Sequence, residues 1–359
     1  MRIDGKPTRT IWPLPEGDAF GVIDQRQLPH RVVTLTLRTL DQTVTAIADM
    51  TVRGAPLIGV TAAYGLALQA DQDAGDAALR RAAQALKAAR PTAVNLAWAV
   101  DRAMRMIELS PVEGRARAAW HFAADLADED VATNAAIGGY GLSLLRQLQP
   151  RQPGRLNILT HCNAGWLATV DWGTALAPIY KAHAAGLPVH VWVDETRPRN
   201  QGASLTAFEL REEGIPHTVI ADNAGGHLMQ HGLVDAVIVG CDRVTARGDV
   251  CNKIGTYLKA LAAHDNGVPF YVAMPMSTLD RRLQDGVREV PIEERSAREV
   301  THITGRGADG RAVEVQLVPD GTAAANPAFD VTPARLVTAL ITERGVVTAS
   351  SAGIASLGT

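Results

Sequence analysis

A chain of 359 residues, 47% hydrophobic and 20% charged, can bury a sizeable core and exceeds the usual size of one domain. A net charge of −3 and an aromatic share of 4% exclude a general nucleic-acid or membrane surface and leave a small neutral or anionic partner. The start MRIDGKPTRTIW has no signal core, no stretch nears the ~20 apolar residues of a membrane span, and Cys162, Cys241 and Cys251 form no CxxC pair, so a cytoplasmic chain without disulfides or a zinc site is expected.

The β-branched runs 19–24 and 31–37 flank the turn-like QRQLPH and predict a small antiparallel element. Leu40, Val44 and Ile47 share one face of a helix over 39–50, which Arg53-Gly54-Ala55-Pro56 brings to a stop. Pro56 suits the first turn of an apolar helix over 57–68, so Arg53 sits beside free backbone donors. Alanine-rich helices are predicted over 76–90, 92–109, 115–128 and 132–148, with Pro91 and Pro111 as punctuation and Thr92 or Asn95 as a cap. A lone arginine such as Arg90 at a helix boundary ordinarily only complements the helix dipole.

The polar break QPRQPG at 149–154 marks the expected boundary between a domain over 1–150, a β-hairpin plus helices, and a second over 151–359. Beyond it, the runs 156–160, 188–193, 217–221, 235–240 and 269–273 alternate with helical stretches, the pattern of βα units and a parallel sheet. The fold class is therefore α/β. The runs end on His161-Cys162-Asn163, Asp194-Glu195-Thr196-Arg197, Asp222-Asn223 and Cys241-Asp242-Arg243, which a parallel sheet gathers into one crevice.

Residues 235–257 carry the densest chemistry. A buried strand leads through Gly240 to Asp242, and Asn252, Lys253 and Gly255 read as opening a helix, a junction suited to an anion such as phosphate. Residues 281–325 read as an exposed loop or small hairpin, 326–346 as a helix starting at Thr332-Pro333 with Leu336, Leu340 and Ile341 on one face, and the last residues as a weakly ordered tail. Cys241 and Cys251 read as small buried apolar groups, His161 as a hydrogen-bonding residue rather than a metal ligand, and Asp194, Glu195 and Asp222 as supporting groups.

The stretches RGAPLIGV at 53–60, RPTAVNL at 90–96, ILTHCNAGWLATVDWGTAL at 158–176, DETRPRNQGASLTAFEL at 194–210, GDVCNKIGTY at 248–257 and NPAFDVTPA at 326–334 resemble, in one order, the methylthioribose-1-phosphate isomerases of methionine salvage. That group is related to regulatory subunits of a eukaryotic initiation-factor exchange complex. The resemblance implies a helical N-terminal part, a Rossmann-like C-terminal part and a homodimer without cofactor or metal, acting on a small sugar phosphate. It implies Cys162 and Asp242 as the catalytic pair and Arg53, Gly54, Ala55, Arg90, Gln201, Asn252 and Lys253 as substrate contacts. Trp166, Ala177-Pro178, Cys241 and Cys251 depart from the commonest pattern, and Trp166 is expected to reshape or line the pocket.

An aldose 1-phosphate cannot open to a free aldehyde while its phosphate stays on C1, so a general acid must release the ring oxygen. A carboxyl such as Asp242, raised by burial, suits that task. Hydrogen then passes from C2 to C1, with Cys162 either as a thiolate base or as a polarising group beside a direct hydride shift. A 5-deoxyribose 1-phosphate, a ribose 1,5-bisphosphate and a non-catalytic regulatory role are the alternatives.

Overall fold

The computed structural model describes residues 1–90 and 93–358. Its centre is a seven-stranded sheet in the order Gly345–Val347, Ala339–Thr342, Phe270–Ala273, Ala236–Val239, Leu156–Thr160, Val189–Asp194 and His217–Ile220. Every neighbouring pair is parallel except the first, which is antiparallel. The central strands are buried along their length and read as continuous apolar runs, as strands covered on both faces must.

The helical layer is built on Ala55–Gln72, whose residues from Leu57 to Leu68 are all buried. A helix apolar all round needs neighbours on every side. Helices Leu40–Ala48, Asp76–Ala89, Val94–Glu108 and Arg115–Leu145 supply them, with Leu66, Leu79, Leu86 and Leu96 in the shared core. The strands Ile11–Pro13, Phe20–Ile23 and Thr34–Leu37 form the expected antiparallel element, with one strand more than the two runs predicted. At the start of Leu40–Ala48, Thr39 Oγ1 accepts the Gln42 N–H at 3.2 Å. Thr39→Ala is expected to cost about 1 kcal/mol in a denaturant melt.

Four expectations need correction. The helices over 115–128 and 132–148 are one helix, Arg115–Leu145, because Glu129, Asp130 and Val131 include no helix breaker. The helix expected from Thr332-Pro333 onward within 326–346 is absent: Phe329–Thr332 pairs antiparallel with Val250–Lys253, one 3₁₀ turn follows at Ala334–Leu336, and Ala339–Thr342 joins the main sheet. The β-branched residues Val331, Thr332, Ile341 and Thr342 suit strands once partner edges are present. The tail is ordered over its described length, with Ser350 capping helix Ser351–Ser356 and Ile354 buried. Finally, the cap expected at Thr92 or Asn95 is not made by Asn95, which lies inside helix Val94–Glu108; Pro91 and Thr92 lie outside the described residues.

The polar segment 281–325 does contain an exposed hairpin, His302–Arg306 against Ala312–Gln316. Among the described residues no helix is long and apolar enough to cross a membrane.

Candidate active site

Strand order locates the site. From Leu156–Thr160 the chain adds Val189–Asp194 and His217–Ile220 on one side, then returns to place Ala236–Val239 on the other. The loops leaving the carboxyl ends of Leu156–Thr160 and Ala236–Val239 therefore diverge, and a crevice opens at that switch point. One loop carries His161 and Cys162, the other Cys241 and Asp242. Gly240 permits their approach, since a Cβ there would lie 2.6 Å from Ala164 Cβ.

All nine residues carried over by the resemblance line one cavity of about 70 Å³: Arg53, Gly54, Ala55, Arg90, Cys162, Gln201, Asp242, Asn252 and Lys253. It adjoins a smaller chamber that shares Arg90 and Asp242, and an outer groove of about 850 Å³ that shares Met50, Arg53 and Gln201. A roomier cavity of about 290 Å³ between helix Val94–Glu108 and the loop at Pro275–Leu279 shares only Pro56 and Pro275 with it. None of those nine groups lines that space.

Burial sets the protonation of the site. It raises the Asp242 carboxyl above its ordinary range, although Lys253, Arg53 and Arg90 pull the other way. Burial likewise raises the Cys162 thiol against Arg53 and Lys253, and lowers Lys253 and Arg90. For these four groups desolvation outweighs pairing, as expected of a buried cavity. Burial thus favours the neutral forms of Asp242 and Cys162.

Two buried polar atoms at the cavity, Arg90 Nε and Gln201 Oε1, have no hydrogen-bond partner among the described residues. Unsatisfied buried groups are rare, and a bound anion or hydroxyl would satisfy them. The Lys253 ammonium stands 4.4 Å from the centre of the Phe329 ring, a cation–π contact that helps hold it. Cys162 has φ 66°, left-handed backbone that a non-glycine residue adopts at a cost and that concentrates at functional sites. Its N–H donates to Thr196 Oγ1 at 2.8 Å and its carbonyl accepts from Thr206 Oγ1 at 2.7 Å.

The anion-facing helix end is not the one expected. Asn252 and Lys253 close the strand Val250–Lys253, and the helix begins only at Thr256, where Asp330 already accepts the N–H groups of Gly255 at 2.7 Å and Tyr257 at 3.1 Å. The free end belongs to Ala55–Gln72, which starts without a side-chain cap. Gly54, at φ 98°, brings it against Ala168, where a Cβ would come within 2.3 Å of the carbonyl oxygen. Trp166 also departs from expectation. It is fully buried among Ile158, Leu176 and Ile179 and does not line the cavity, whose apolar wall is Met50, Ala164, Ala168, Pro275 and Phe329.

Sequence reasoning missed the support beneath these groups. Arg53 Nη1 and Nη2 donate to Asn163 Oδ1 at 2.5 Å and to its carbonyl at 2.8 Å, and Asn163 Nδ2 donates to the buried Glu209 at 2.8 Å. Burial pushes the Glu209 carboxyl up to about 7 against the donors around it. Arg295, which bridges Glu293 at 2.8 Å and Glu299 at 2.7 Å, adds a cation near Arg90 and Lys253. Against burial, Arg295 and Arg199 hold Glu299 down to about 2. Asn163 follows the apolar run 156–160, but no local signal marked Glu209 or Arg295, neither of which sits at the end of such a run.

His161, Asp194 and Asp222 are the one acidic or histidine set among the described residues close enough to hold a metal. Most of their atoms are engaged: His161 Nδ1 meets Asp194 Oδ2 at 2.8 Å, its Nε2 donates to the Ile254 carbonyl at 2.8 Å, and Lys259 Nζ lies 3.3 Å from the same Asp194 oxygen, while Asp194 Oδ1 has no hydrogen-bond partner among the described residues. Asp222 accepts the N–H groups of Thr196 and Arg197, each at 2.7 Å. The set is a brace behind Cys162, buried at His161 and Asp194 and partly exposed at Asp222. Cys251 is buried and its thiol is pushed to about 12, whereas Cys241 lines the cavity.

Residues 51–349 match the family described as the Initiation factor 2 subunit family. A methylthioribose-1-phosphate isomerase of Methylorubrum extorquens is 63% identical over 357 residues, covering 99% of this chain and 98% of the relative. One of Rhodospirillum rubrum is 62% identical over 363 residues, covering 99% and 93%. Among solved structures, 5-methylthioribose 1-phosphate isomerase from Pyrococcus horikoshii OT3 aligns with TM-score 0.84 and 40% identity, over 98% of this chain and 96% of its own. The translation initiation factor eIF-2B subunit delta from A. fulgidus aligns with TM-score 0.80 and 39% identity, over 98% and 99%.

Proposed function

The chain belongs to the Initiation factor 2 subunit family and, within it, to the methylthioribose-1-phosphate isomerases, an enzyme of the aldose–ketose class, and on that premise we propose that it converts 5-methylthio-D-ribose 1-phosphate to 5-methylthio-D-ribulose 1-phosphate with Asp242 as acid. The observation that carries this reading is a carboxyl whose pKa burial raises, lining together with a thiol one cavity walled by Arg53, Arg90 and Lys253. Arginine offers the phosphate a planar fork and lysine a point charge. The backbone at Gly54 and Ala55, Gln201 and Asn252 complete the cradle.

Asp242 gives its proton to the ring oxygen as the bond from that oxygen to C1 breaks. The electron deficiency left at C1 draws the C2 hydrogen across with its electron pair, and the C2 hydroxyl becomes the ketone as its proton returns to the Asp242 carboxylate. Atoms and charge balance without an external base. The raised thiol pKa supports Cys162 as a polarising and positioning group rather than a thiolate base. Met50, Pro275 and Phe329 offer a methylthio group an apolar wall, which favours it over a second phosphate at C5. The homodimer and cytoplasmic setting implied by the resemblance belong to the same reading.

Phosphorus NMR of the protein with 5-methylthioribose 1-phosphate in deuterated water tests it. Conversion without deuterium at C1 is the expected result. Deuterium at C1 would replace the hydride shift by proton transfer through a base. Binding without conversion would instead support a regulatory role, the second reading favoured by the likeness to the initiation-factor subunit.

A further inference from the structure

We propose that Glu209 is a positioning residue for the substrate phosphate, acting through Asn163 on Arg53. The proposal deepens the isomerase reading and rests on Arg53 holding the phosphate. Glu209 is fully buried, and each contact it makes is with a donor: Asn163 Nδ2 at 2.8 Å, Leu167 N–H at 3.0 Å, Trp166 N–H at 2.9 Å and Tyr180 O–H at 2.5 Å. Three of these partners are N–H groups that can only donate, so Oε1 accepts from Asn163 and Leu167 whether or not the carboxyl is ionised.

That carboxylate determines which way the Asn163 amide faces. With Nδ2 on Glu209, Oδ1 is left to accept from Arg53. A flipped amide would set its NH₂ against the guanidinium and its oxygen against the carboxylate. The Asn163 carbonyl takes the second Arg53 nitrogen at 2.8 Å, so both bonds orienting the fork come from this one residue. Space is reserved for the device: a Cβ at Gly165 would lie 1.7 Å from Glu209 Oε2. The buried acid thus holds the arginine from behind without touching substrate.

The test measures inorganic phosphate affinity by calorimetry, KM and kcat for 5-methylthioribose 1-phosphate, and thermal melting. Glu209→Gln and Asn163→Ala are expected to weaken phosphate binding and raise KM at least about tenfold, the scale of one charge-assisted hydrogen bond, with kcat changed less than about threefold. Tyr180→Phe removes a donor from the same carboxylate outside the Asn163 branch, and is expected to lower the melting temperature with KM nearly unchanged. In an Arg53→Lys background the Glu209→Gln effect on phosphate affinity should disappear.

A folded Glu209→Gln protein with lower melting temperature but wild-type phosphate affinity would make the residue merely structural and overturn the proposal. Persistence of its effect in the Arg53→Lys background would overturn the route through Arg53. Should Glu209→Gln fail to fold, the phosphate affinity of Asn163→Ala decides. Wild-type protein that shows this phosphate pattern without turnover would overturn the isomerase reading and leave the positioning role standing.

Discussion

Asp242→Asn is expected to lower turnover of 5-methylthioribose 1-phosphate at least about a thousandfold, the scale of a lost general acid. The amide keeps size and polarity but cannot give a proton to the ring oxygen. Substrate affinity should change much less, since Arg53, Arg90 and Lys253 remain. Burial raises the Asp242 pKa above its ordinary value, so the wild-type rate should be present below that raised pKa and fall as pH rises through it; the residual rate of Asp242→Asn should lack that limb.

Stability should also fall as pH rises. A carboxyl whose folded pKa exceeds its unfolded one contributes stability at low pH that is lost as pH rises through the folded value. Asp242→Asn removes a group costly to ionise there, so it should melt no lower than wild type at alkaline pH. Cys162→Ser should be less damaging than Asp242→Asn if the thiol only polarises and positions. Steady-state kinetics from pH 5 to 10, with melts in the same buffers, check each point. A variant keeping a tenth of wild-type turnover would remove Asp242 from the role of acid.

Gly202→Ala is expected to cost about 3 kcal/mol or more, at the upper end for overpacking. Helix propensity argues the reverse, because alanine is favoured over glycine by about 1 kcal/mol inside a helix. Geometry decides between them. A Cβ at residue 202 would lie 1.7 Å from the Asp194 carbonyl oxygen and 3.0 Å from Thr196 Oγ1, at the end of the strand Val189–Asp194, which is paired on both edges. Gly139→Ala is the control, because nothing lies within 4 Å of its Cβ in helix Arg115–Leu145. Urea melts of the two proteins should shift in opposite directions, and a Gly202→Ala variant as stable as wild type would sink the steric argument.

Much of the candidate site was legible because its chemistry follows apolar runs directly. Cys162 lies two residues beyond Thr160, and Asp242 three beyond Val239, so assigning the strands placed both groups. Arg53 was legible from a neighbouring turn, with Gly54 and Pro56 marking where a buried helix begins. Glu209 was not. On a single sequence it is one acid in an ordinary amphipathic stretch, and only the fold brings it beneath Asn163, 46 residues away.

The sequence by itself determined the element types over most of the chain, the parallel character of the sheet and the loops that carry chemistry. These follow from hydrophobic period, strand length and turn residues, which are local properties. Only the tertiary structure decided that 326–346 forms strands, that Lys253 ends a strand, that Asp330 occupies one helix end while Ala55–Gln72 faces the cavity, and that Trp166 packs away from it. Each depends on a partner remote in the chain: a strand edge to pair with, a carboxylate to fill a cap, or a core to receive an indole. Such partners override local preference because burying an unpaired polar group costs more than propensity contributes.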